Sequence, residues 1–462
     1  MHGAWPYVKV LSTGLESIRT PVICRDFGNP QWPASMETAK LTQGSCREVS
    51  IMSVETRHIR AEHDLDRSLI RWIMKRVGNP RISIRLWNGD EFWVTEARPV
   101  ACMEFCERRT VFELLRSPSV GFGECYSSGL IEIHGDFLAF ANEITLAIAR
   151  QKDGRYYDQK IRSMLYAIRS NTPARSWRNV HHHYDLGNEF YKLWLDERMV
   201  YTCAYFDKPA ASLAQAQVAK LEHVCRKLKL RPGQKVIEAG CGWGSLALHM
   251  AEHYGVNVVA YNNSSEQVAF AREKAAAMGL DNQVKFIEDD YRNIDGRCDA
   301  FVSVGMLEHV GLANFRKLGE LIKRSLKPDG IGLIHSIGRS HPQRMDPWIV
   351  KHIFPGGHIP SLGEMMAVFE PQQFSILDVE NLRPHYARTC AMWLENFEAA
   401  ADDVAQEYGE AFARMWRLYL AGSSAAFQSG TLQLYQVLFA PRGSSNVPWT
   451  REYQYLREPG TH

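Results

Sequence analysis

The chain has 462 residues, of which 45% are hydrophobic and 23% are charged, and its formal net charge is +2. This composition is typical of a globular protein and excludes intrinsic disorder over most of the chain. The nearly balanced charge gives no reason to expect nucleic-acid binding.

We expect no targeting segment at the amino terminus. Residues 1–51 are irregular, with scattered Pro and Gly and no apolar signal-peptide core, and Met52 is an alternative start. The most apolar window, Phe137–Ala149, is interrupted by Asn142 and Glu143 and is too short to cross a bilayer. The ten cysteines form no CxxC pair and no zinc-type spacing. We therefore expect a cytoplasmic protein with reduced thiols.

Residues 52–150 are predicted to form a small α+β domain for lipid, membrane or dimer contacts. Its elements are a helix, two strands, a short helix, a glycine-rich passage and an apolar helix: Leu65–Val77, Ile82–Trp87, Phe92–Thr95, Phe112–Leu115, Gly121–Gly129 and a helix ending near Ala149. The turn Asn88-Gly89-Asp90 predicts that the two strands form a hairpin. Residues 151–178 are rich in Arg, Lys, Ser and Asn, which indicates a linker or a solvated helix.

A change of pattern near Lys235 predicts a larger α/β domain over residues 179–445, followed by a tail over residues 446–462. Short apolar runs alternate with amphipathic helices, as in parallel sheets covered on both faces. Seven runs are predicted strands: Val236–Glu238, Val256–Tyr261, Val284–Ile287, Asp299–Val304, Ile331–Ser336, Ser375–Glu380 and Leu432–Phe439. A long helical segment, Cys390–Leu420, separates the last two. We predict a doubly wound, Rossmann-like, seven-stranded sheet whose last strand is antiparallel.

The sharpest motif follows the first of these strands. The run Val236–Gly244 has the sequence VIEAGCGWG, so glycines alternate at Gly240, Gly242 and Gly244. Such glycines let the backbone pass close beneath a ligand, and the helix amino terminus behind them attracts negative charge. Glu238 suits a ligand with an amino group. The GxGxG spacing differs from the GxGxxG of dinucleotide folds and favours S-adenosylmethionine. A turn without a ligand and a dinucleotide site are the alternatives.

Polar residues also follow the second and third strands. Asn262 and Gln267 stand where an acidic side chain usually holds ribose hydroxyls, and this run also fits a cap on the next helix. Asp290 is expected to accept the adenine amine, and Tyr291 to cover the adenine ring. The alternative is a pair of solvated loop acids, which applies more to Asp289 than to Asp290.

Several sequence blocks between residues 178 and 440 occur together in one known family. The blocks are HYDLGN at 183–188, YTCAYF at 201–206, GCGWG at 240–244, VSVGMLEHVG at 302–311, HSIG at 335–338, DPW at 346–348 and FPGG at 354–357. In this order they resemble the cyclopropane fatty acid synthase family, which is related to the mycolic acid cyclopropane synthases. A weaker match lies at Gly121–Leu138.

The resemblance implies a class I S-adenosylmethionine-dependent methyltransferase that transfers a methylene group to the cis double bond of a phospholipid acyl chain. The predicted cofactor-binding residues are Tyr201, Thr202, Glu238, Gly240, Gly242, Gly244, Asn262, Asn263, Gln267, Asp290 and Tyr291. Five more positions match those that hold bicarbonate in the family and are the predicted catalytic residues: Cys203, Glu308, His335, Ile337 and Tyr386. We expect peripheral association with the inner face of the membrane, a homodimer, and no nucleic-acid partner.

Elementary chemistry agrees with this assignment. An alkene is a weak nucleophile, whereas a sulfonium methyl group is strongly electrophilic. Methyl transfer leaves a carbocation beside the new methyl group, and ring closure needs a base that acts in a dry pocket. Aromatic faces such as those of Tyr205 or Phe206 are expected to stabilise the cation.

Bicarbonate suits the role of base because it is small, anionic and held by hydrogen bonds. His335 and Tyr386 are expected to donate to it, and Glu308 to accept its hydroxyl proton. Backbone amides near Cys203 and Ile337 are expected to complete the cage.

The same residues have structural interpretations. Glu308 also fits a helix cap, His335 a satisfied core histidine, and Cys203 a buried structural thiol. The triplet His181–His183 suggests metal binding, but adjacent histidines cannot all converge on one ion, so no metal site is predicted.

Two departures from the family pattern keep the product open. Many members have a cysteine where this chain has Ser423, which argues against an essential thiol there. The pair Asn262-Asn263 replaces the usual Thr/Ser-type residues. The nearest alternative is a methyltransferase that leaves a methyl or methylene branch on the acyl chain. More distant alternatives are a small-molecule N-methyltransferase and a catalytically silent lipid-binding protein.

The acyl substrate requires contact with a bilayer. Exposing a buried acyl chain to water costs about 0.8 kcal/mol per methylene, so release of the substrate into water is excluded. The segment Trp348–Pro355 pairs apolar side chains with Lys351 and is the predicted interfacial lid. An ordinary core helix is the alternative.

Overall fold

The computed structural model describes residues 55–151 and 186–455, within which the elements below are numbered. The contacts within the chain divide it into Met1–Ala61, most of which lies outside the described residues, and one compact unit, Glu62–His462. Every side chain discussed below belongs to the second unit. The predicted linker at 151–178 and the histidine triplet lie almost entirely outside the described residues, so both stay predictions.

The amino-terminal part of this unit is a four-stranded sheet with helices. Its elements are α1 (Glu55–Val77) from residue 62 onward, β1 (Ser83–Arg85), β2 (Glu91–Trp93), β3 (Ala101–Phe105), α2 (Arg109–Arg116), α3 (Pro118–Ser127), β4 (Ile131–Gly135) and α4 (Phe137–Arg150). The strand order is β2-β1-β3-β4, and β1 and β2 pair antiparallel as the predicted hairpin. Strands β3 and β4, which were not predicted, complete the sheet.

The glycine-rich passage contains helix α3 because its glycines make close contacts possible. A Cβ atom at Gly121 would lie 2.4 Å from the carbonyl oxygen of Glu113, and one at Gly123 would lie 2.2 Å from the indole nitrogen of Trp348. Glycine at these positions indicates tight packing rather than a loop.

The larger part has the predicted α/β architecture. Its helices and strands are α5 (Gly187–Lys192), α6 (Leu213–Lys227), β5 (Lys235–Ala239), α7 (Ser245–Tyr254), β6 (Asn257–Asn262), α8 (Ser265–Ala277), β7 (Val284–Glu288), β8 (Cys298–Val304), α9 (Leu307–Val310), α10 (Phe315–Ser325), β9 (Leu326–Gly338), α11 (Pro347–His352), α12 (Leu362–Phe369), β10 (Ser375–Asn381), α13 (Arg383–Ala399), α14 (Ala401–Tyr408), α15 (Glu410–Ser429) and β11 (Gln433–Ala440). Short 3-10 helices are Tyr291–Asn293, Leu312–Asn314, Glu370–Gln372 and Glu452–Gln454.

The sheet confirms the predicted fold class. Its order is β10-β11-β9-β8-β5-β6-β7, and β11 pairs antiparallel with both β9 and β10. The remaining pairs are parallel, so the carboxyl ends of β5 to β9 meet at one edge. In open α/β sheets this edge holds the ligand. The predicted helical segment Cys390–Leu420 is confirmed as helical and is divided among α13, α14 and α15, with a break at Gly409, whose φ is +92°.

A buried arginine joins the two parts of this unit. Arg414 of α15 is 9% exposed, and its guanidinium donates to the carbonyl oxygens of Tyr126 (2.6 Å) and Ile131 (2.8 Å). It also pairs with Glu132 at 3.1 Å. Because a buried charge needs such partners, this contact positions the amino-terminal sheet against the helices above the large sheet.

The predicted interfacial lid is packed into the protein. Trp348 and Ile353 are buried, and Lys351 and His352 both contact the carboxylate of Glu124 on α3. The apolar side chains therefore cover the core rather than face solvent, as the core-helix alternative states. Within the described ranges, no helix is long and apolar enough to span a membrane.

Replacing Gly123 with alanine tests the contact between α3 and α11. The new Cβ would overlap the indole of Trp348, and overpacking of this kind costs about 1–3 kcal/mol of unfolding free energy. The matched control is Gly363→Ala in α12, where the nearest atom to a new Cβ lies 3.9 Å away. Chemical denaturation should show a loss for Gly123→Ala and no loss for Gly363→Ala. Equal stability of the two variants would contradict this contact.

Candidate active site

A cavity of about 670 Å³ starts at the carboxyl edge of the sheet and continues into the amino-terminal part of this unit. Its polar end is lined by Gly240, Gly242, Asn262, Asn263, Gln267 and Asp289. Its opposite end is lined by apolar residues of α1 and α4: Ile73, Met74, Val77, Phe140, Ile144 and Ile148. One continuous space therefore joins a polar pocket to an apolar channel.

The glycines of the first loop serve different purposes. Gly242 has φ +53° and lines the cavity, and a Cβ atom there would meet no protein atom within 4 Å. Gly244 has φ +83°, but a Cβ there would lie 2.6 Å from the ring of Phe286. Gly242 thus leaves space for a ligand, whereas Gly244, which does not line the cavity, is required for packing.

Asn262 holds the glycine loop in place. Its side-chain amide donates to the carbonyl oxygen of Gly242 (3.2 Å) and to Oε1 of Gln267 (2.8 Å). The hydroxyl of Ser264 also caps α8 by accepting from the backbone N–H of Gln267. The helix cap considered as an alternative is therefore present, while Asn262, Asn263 and Gln267 still line the cavity.

Glu238 lies at the end of β5 with one carboxylate oxygen unpartnered. It is 2% exposed, and its Oε2 has no hydrogen-bond partner among the described residues. Burial raises the pKa of this carboxyl group to about 8, while nearby Lys220 lowers it. An unpartnered buried oxygen facing a cavity fits a ligand cation such as an amino group.

Lys220 is a site residue that sequence reasoning missed. It is 2% exposed on α6, lines the cavity, and donates to the hydroxyl of Thr202 at 2.9 Å. Burial lowers the pKa of its ammonium group to about 8, while Asp196 raises it. Its sequence signal is weak because an amphipathic helix with scattered lysines is ordinary, and only burial distinguishes this one.

Two helices clamp the segment that carries Tyr201 and Thr202. From α6, the amide of Gln217 donates to the carbonyl oxygens of Val200 (3.2 Å) and Thr202 (2.9 Å). From α13, the hydroxyl of Thr389 accepts from the backbone N–H of Ala204 at 3.0 Å. These bonds hold the segment that carries Tyr201 and Thr202 in place along the cavity wall.

Tyr201 is fixed by aromatic neighbours. Its ring centroid lies 5.2 Å from that of Trp194 and 5.3 Å from that of Trp393, and its hydroxyl is 2.6 Å from that of Tyr419. Contacts of this geometry are favourable between aromatic rings. Tyr201 and Thr202 both line the cavity, as predicted residues of the cofactor site.

The third strand end differs from the prediction. Asp289 lines the cavity, whereas the carboxylate of Asp290 pairs with Arg292 at 2.8 Å and caps a 3-10 turn. Tyr291 lines the cavity, its hydroxyl has no partner among the described residues, and burial raises its pKa to about 12. The geometry therefore favours Asp289 over Asp290 as the acidic residue at the ligand.

Glu308 lies at the start of α9 with its carboxylate buried. Its Oε1 accepts from the backbone N–H of Ile337 at 2.6 Å, and its Oε2 has no partner in the described part of the chain. Burial raises the pKa of this carboxyl group to about 7, and the hydrogen bond from Ile337 lowers it. The amide of Ile337, expected to bind bicarbonate, is thus already bonded to Glu308.

Two predicted catalytic residues do not line the cavity. His335 is 2% exposed; its Nδ1 bonds to the amide of Gln436 at 3.1 Å, and its Nε2 has no partner among the described residues. Burial lowers the pKa of His335 to about 3, so the ring is neutral. Cys203 is fully buried, its thiol donates to the carbonyl of Ala204 at 3.2 Å, and burial raises its pKa.

The predicted residue Tyr386 lines the cavity together with two further aromatic rings. Tyr386 stacks on Phe427 with centroids 4.4 Å apart and meets Trp393 edge-on at 5.9 Å, and all three line the cavity. Tyr205 instead lies between two histidine rings, at 4.3 Å from His223 and 4.7 Å from His385. Neither Tyr205 nor Phe206 lines the cavity.

Other observations complete the site. Ser423 and Cys390 line the cavity, and burial raises the pKa of Cys390 well above its usual value, so its thiol is neutral. In the described part of the chain, no cluster of three or more His, Cys, Asp or Glu side chains could hold a metal ion.

Comparison with known proteins agrees with this geometry. A sequence profile described as "Mycolic acid cyclopropane synthetase" matches residues 171–437. A "Probable fatty acid methyltransferase" of Pseudomonas putida is 34% identical over 81% of this chain and 96% of its own length. The "Cyclopropane-fatty-acyl-phospholipid synthase" of Escherichia coli K12 is 38% identical over 72% of this chain and 86% of its own length.

Solved structures show the same fold. The mycolic acid cyclopropane synthase CmaA1, complexed with SAH and CTAB, is 31% identical, with a TM-score of 0.54, over 57% of this chain and 97% of its own. The cyclopropane synthase MmaA2 of Mycobacterium tuberculosis is 28% identical, with a TM-score of 0.55, over 57% of this chain and 98% of its own. The predicted methyltransferase fold and S-adenosylmethionine as cofactor are thereby confirmed.

Alanine at Gly242 should mainly weaken ligand binding, whereas alanine at Gly244 should mainly lower stability. Gly242→Ala should raise the dissociation constant for S-adenosylhomocysteine at least tenfold, because its methyl group enters the ligand space, at a stability cost of about 1–2 kcal/mol for the positive φ. Gly244→Ala should lose about 2–4 kcal/mol because its Cβ overlaps Phe286, which adds overpacking to the backbone cost. Calorimetric titration and thermal unfolding measure the two effects. Wild-type affinity in Gly242→Ala would refute this placement of the ligand.

Proposed function

The chain belongs to the mycolic acid cyclopropane synthetase family, and from this premise we propose that it converts the cis double bond of an unsaturated phospholipid acyl chain into a cyclopropane ring. S-adenosylmethionine-dependent one-carbon transfer to lipid acyl chains is the activity of this family. Ring formation and a phospholipid as the acyl carrier are the parts that we propose for this chain.

The observation that carries the proposal is the continuity of the cavity. The wall runs from Gly242 past Glu308 and Tyr386 to Ile144 and Ile148 without a dividing partition. A small polar substrate would leave the apolar end empty, whereas an acyl chain fills it and reaches the cofactor end. Apolar lining with a few polar groups is the usual form of a ligand site.

The side chains near Glu308 suit a carbocation. S-adenosylmethionine supplies a sulfonium-bound methyl group. The faces of Tyr386, Trp393 and Phe427 can stabilise positive charge on the acyl chain. Their burial also excludes water, which would otherwise trap the cation as an alcohol. The carboxylate of Glu308 adds negative charge on the same wall.

A bicarbonate ion is the base that we propose for ring closure. Two buried polar atoms support it because neither has a hydrogen-bond partner in the described part of the chain: Oε2 of Glu308, which lines the cavity, and Nε2 of His335, which does not. Tyr386 lines the cavity as well. Buried polar atoms normally have partners. These residues would hold the ion, and the proton of the new methyl group would leave through it. Because the backbone N–H of Ile337 already donates to Glu308, fewer groups would be available to bind the bicarbonate ion than the sequence predicts.

A second candidate is methyl transfer without ring closure. The cation would then lose a proton from a neighbouring carbon or accept a hydride from a reductant. Ser423 on the cavity wall, where many relatives have cysteine, and the similarity to a "Probable fatty acid methyltransferase" support it. Peripheral membrane association on the cytoplasmic side belongs to either candidate, and the homodimer stays a prediction.

Mass spectrometry of the product separates the candidates. The purified chain, methyl-labelled S-adenosylmethionine and vesicles of a mono-unsaturated phospholipid should give an acyl chain that is heavier by one methylene and resists mild hydrogenation of alkenes. Removing dissolved bicarbonate should slow ring formation, because the proposed base is lost. A branched acyl product would overturn ring closure, and unchanged turnover without bicarbonate would overturn the base.

The titration of Glu308 is expected to give an acidic limb in the profile of turnover against pH. Its pKa is raised to about 7 by burial, so the carboxylate forms, and turnover rises, as the pH increases through that value. Tyr386 and His309 do not titrate there, because burial raises the pKa of Tyr386 and lowers that of His309 to about 4.

The variant Glu308→Gln should remove the limb near pH 7 and lower kcat by about 10²–10⁴, with little change in S-adenosylhomocysteine affinity. A separate limb near pH 8 is expected from Glu238, whose pKa is raised to about 8 by burial. Stopped assays across pH 5.5–9 on the wild type, Glu308→Gln and the surface control Glu320→Gln make the measurement. A limb near pH 7 that persists in Glu308→Gln would show that another group causes it.

A further inference from the structure

The channel reaches the protein surface between α1 and α4. Ile148 of α4 lines the cavity and is also 55% exposed. On α1, Ile73 and Val77 line the cavity, and Trp72, next to Ile73, is 46% exposed. A residue that belongs to both the cavity wall and the surface marks an opening, which we call the α1–α4 mouth.

The ends of the two helices are joined beside this mouth. A Cβ atom at Gly78 would lie 2.3 Å from the carbonyl oxygen of Ala147, so only glycine allows this approach. The amide of Gln151 donates to the carbonyl oxygens of Lys75 (3.2 Å) and Arg76 (2.7 Å). The rim is therefore a fixed part of the fold.

The rim is strongly basic. From Arg67 to Val77, α1 contains four basic and no acidic residues, and α4 after Glu143 contains only Arg150 as a charged residue. Glu143 is already paired with Arg81 at 2.8 Å. Arg71, Lys75, Arg76 and Arg150 are exposed. An acidic residue near this face of α1 is Glu96, which lines a separate surface pocket together with Arg71 and Lys75.

Aromatic and basic groups are combined at this rim. The guanidinium of Arg76 lies 4.0 Å from the ring centroid of Trp72. Exposed tryptophan beside lysine and arginine is typical of surfaces that lie at the boundary between lipid headgroups and acyl chains. Each basic residue near an anionic bilayer strengthens binding about fivefold.

We propose that the α1–α4 mouth, formed by Trp72, Lys75, Arg76, Ile148 and Arg150, docks on an anionic phospholipid bilayer and admits the acyl chain to the cavity. The inference rests on the proposed acyl substrate and adds where, and from which bilayer, that chain enters. Charge complementarity and continuity with the reaction cavity select this occupant. An acyl chain that enters here meets the apolar side chains of Ile73, Ile144 and Ile148 on the cavity wall.

Vesicle co-sedimentation tests the surface. The double variant Lys75→Gln/Arg76→Gln should bind vesicles of phosphatidylglycerol and phosphatidylcholine about 25-fold more weakly than the wild type, from two losses of about fivefold. The matched control, Lys317→Gln/Lys323→Gln, removes the same charge from the exposed face of α10 and should lose at most about twofold. Wild-type binding should weaken in high salt and be low on pure phosphatidylcholine.

The outcomes distinguish this inference from the proposed function. Equal losses in both double variants, or wild-type binding that ignores lipid charge and salt, would overturn docking at this mouth. Binding that needs a protein rather than lipid would also overturn it. Turnover of a detergent-dispersed unsaturated phospholipid by the wild type tests the proposed function alone. If the wild type turns over the detergent-dispersed lipid and Lys75→Gln/Arg76→Gln binds vesicles as the wild type does, the proposed function stands and docking at the α1–α4 mouth is refuted.

Discussion

Exclusion of water from the sheet edge is the condition on which this site depends. Burying a charge without a partner costs free energy, and the group responds by a shifted pKa. Burial raises the pKa of Glu238 to about 8 and that of Glu308 to about 7, and it lowers the pKa of Lys220 to about 8. The protein maintains these groups because the same dryness strengthens their interaction with a ligand cation and prolongs the life of a carbocation.

Two parts of one compact unit line different ends of the cavity. The parallel sheet supplies the polar end, since the carboxyl ends of its strands converge at one edge. The amino-terminal helices supply the apolar end, and Arg414 fixes their position by bonds to Tyr126 and Ile131. Neither part alone encloses the space. A lipid-modifying enzyme of this design therefore needs both, because the reacting bond lies in the middle of an apolar chain.

Local motifs allowed much of the cofactor end to be predicted. The glycines after β5 and the amides after β6 were recognisable because loop chemistry at a strand end depends on neighbouring residues in the chain. The position of Lys220 on the cavity wall was not recognisable, nor was the fact that Asp289 rather than Asp290 lies there. Their roles depend on burial and on the pairing of Asp290 with Arg292, which a one-dimensional pattern does not contain. The burial of Trp348 was not recognisable for the same reason, because this side chain packs against Gly123, which is distant in sequence.

The amino-acid order alone established the alternating strands and helices, the hairpin near Asn88, the glycine loop and the resemblance to a lipid-modifying family. These features follow from periodicity and from short-range backbone preferences, which act over a few residues. Only the folded chain revealed that Glu308 is bonded to Ile337, that Tyr205 does not line the cavity, and that the channel opens between α1 and α4. Those contacts join residues far apart in the chain, so they exist only after packing has brought the elements together.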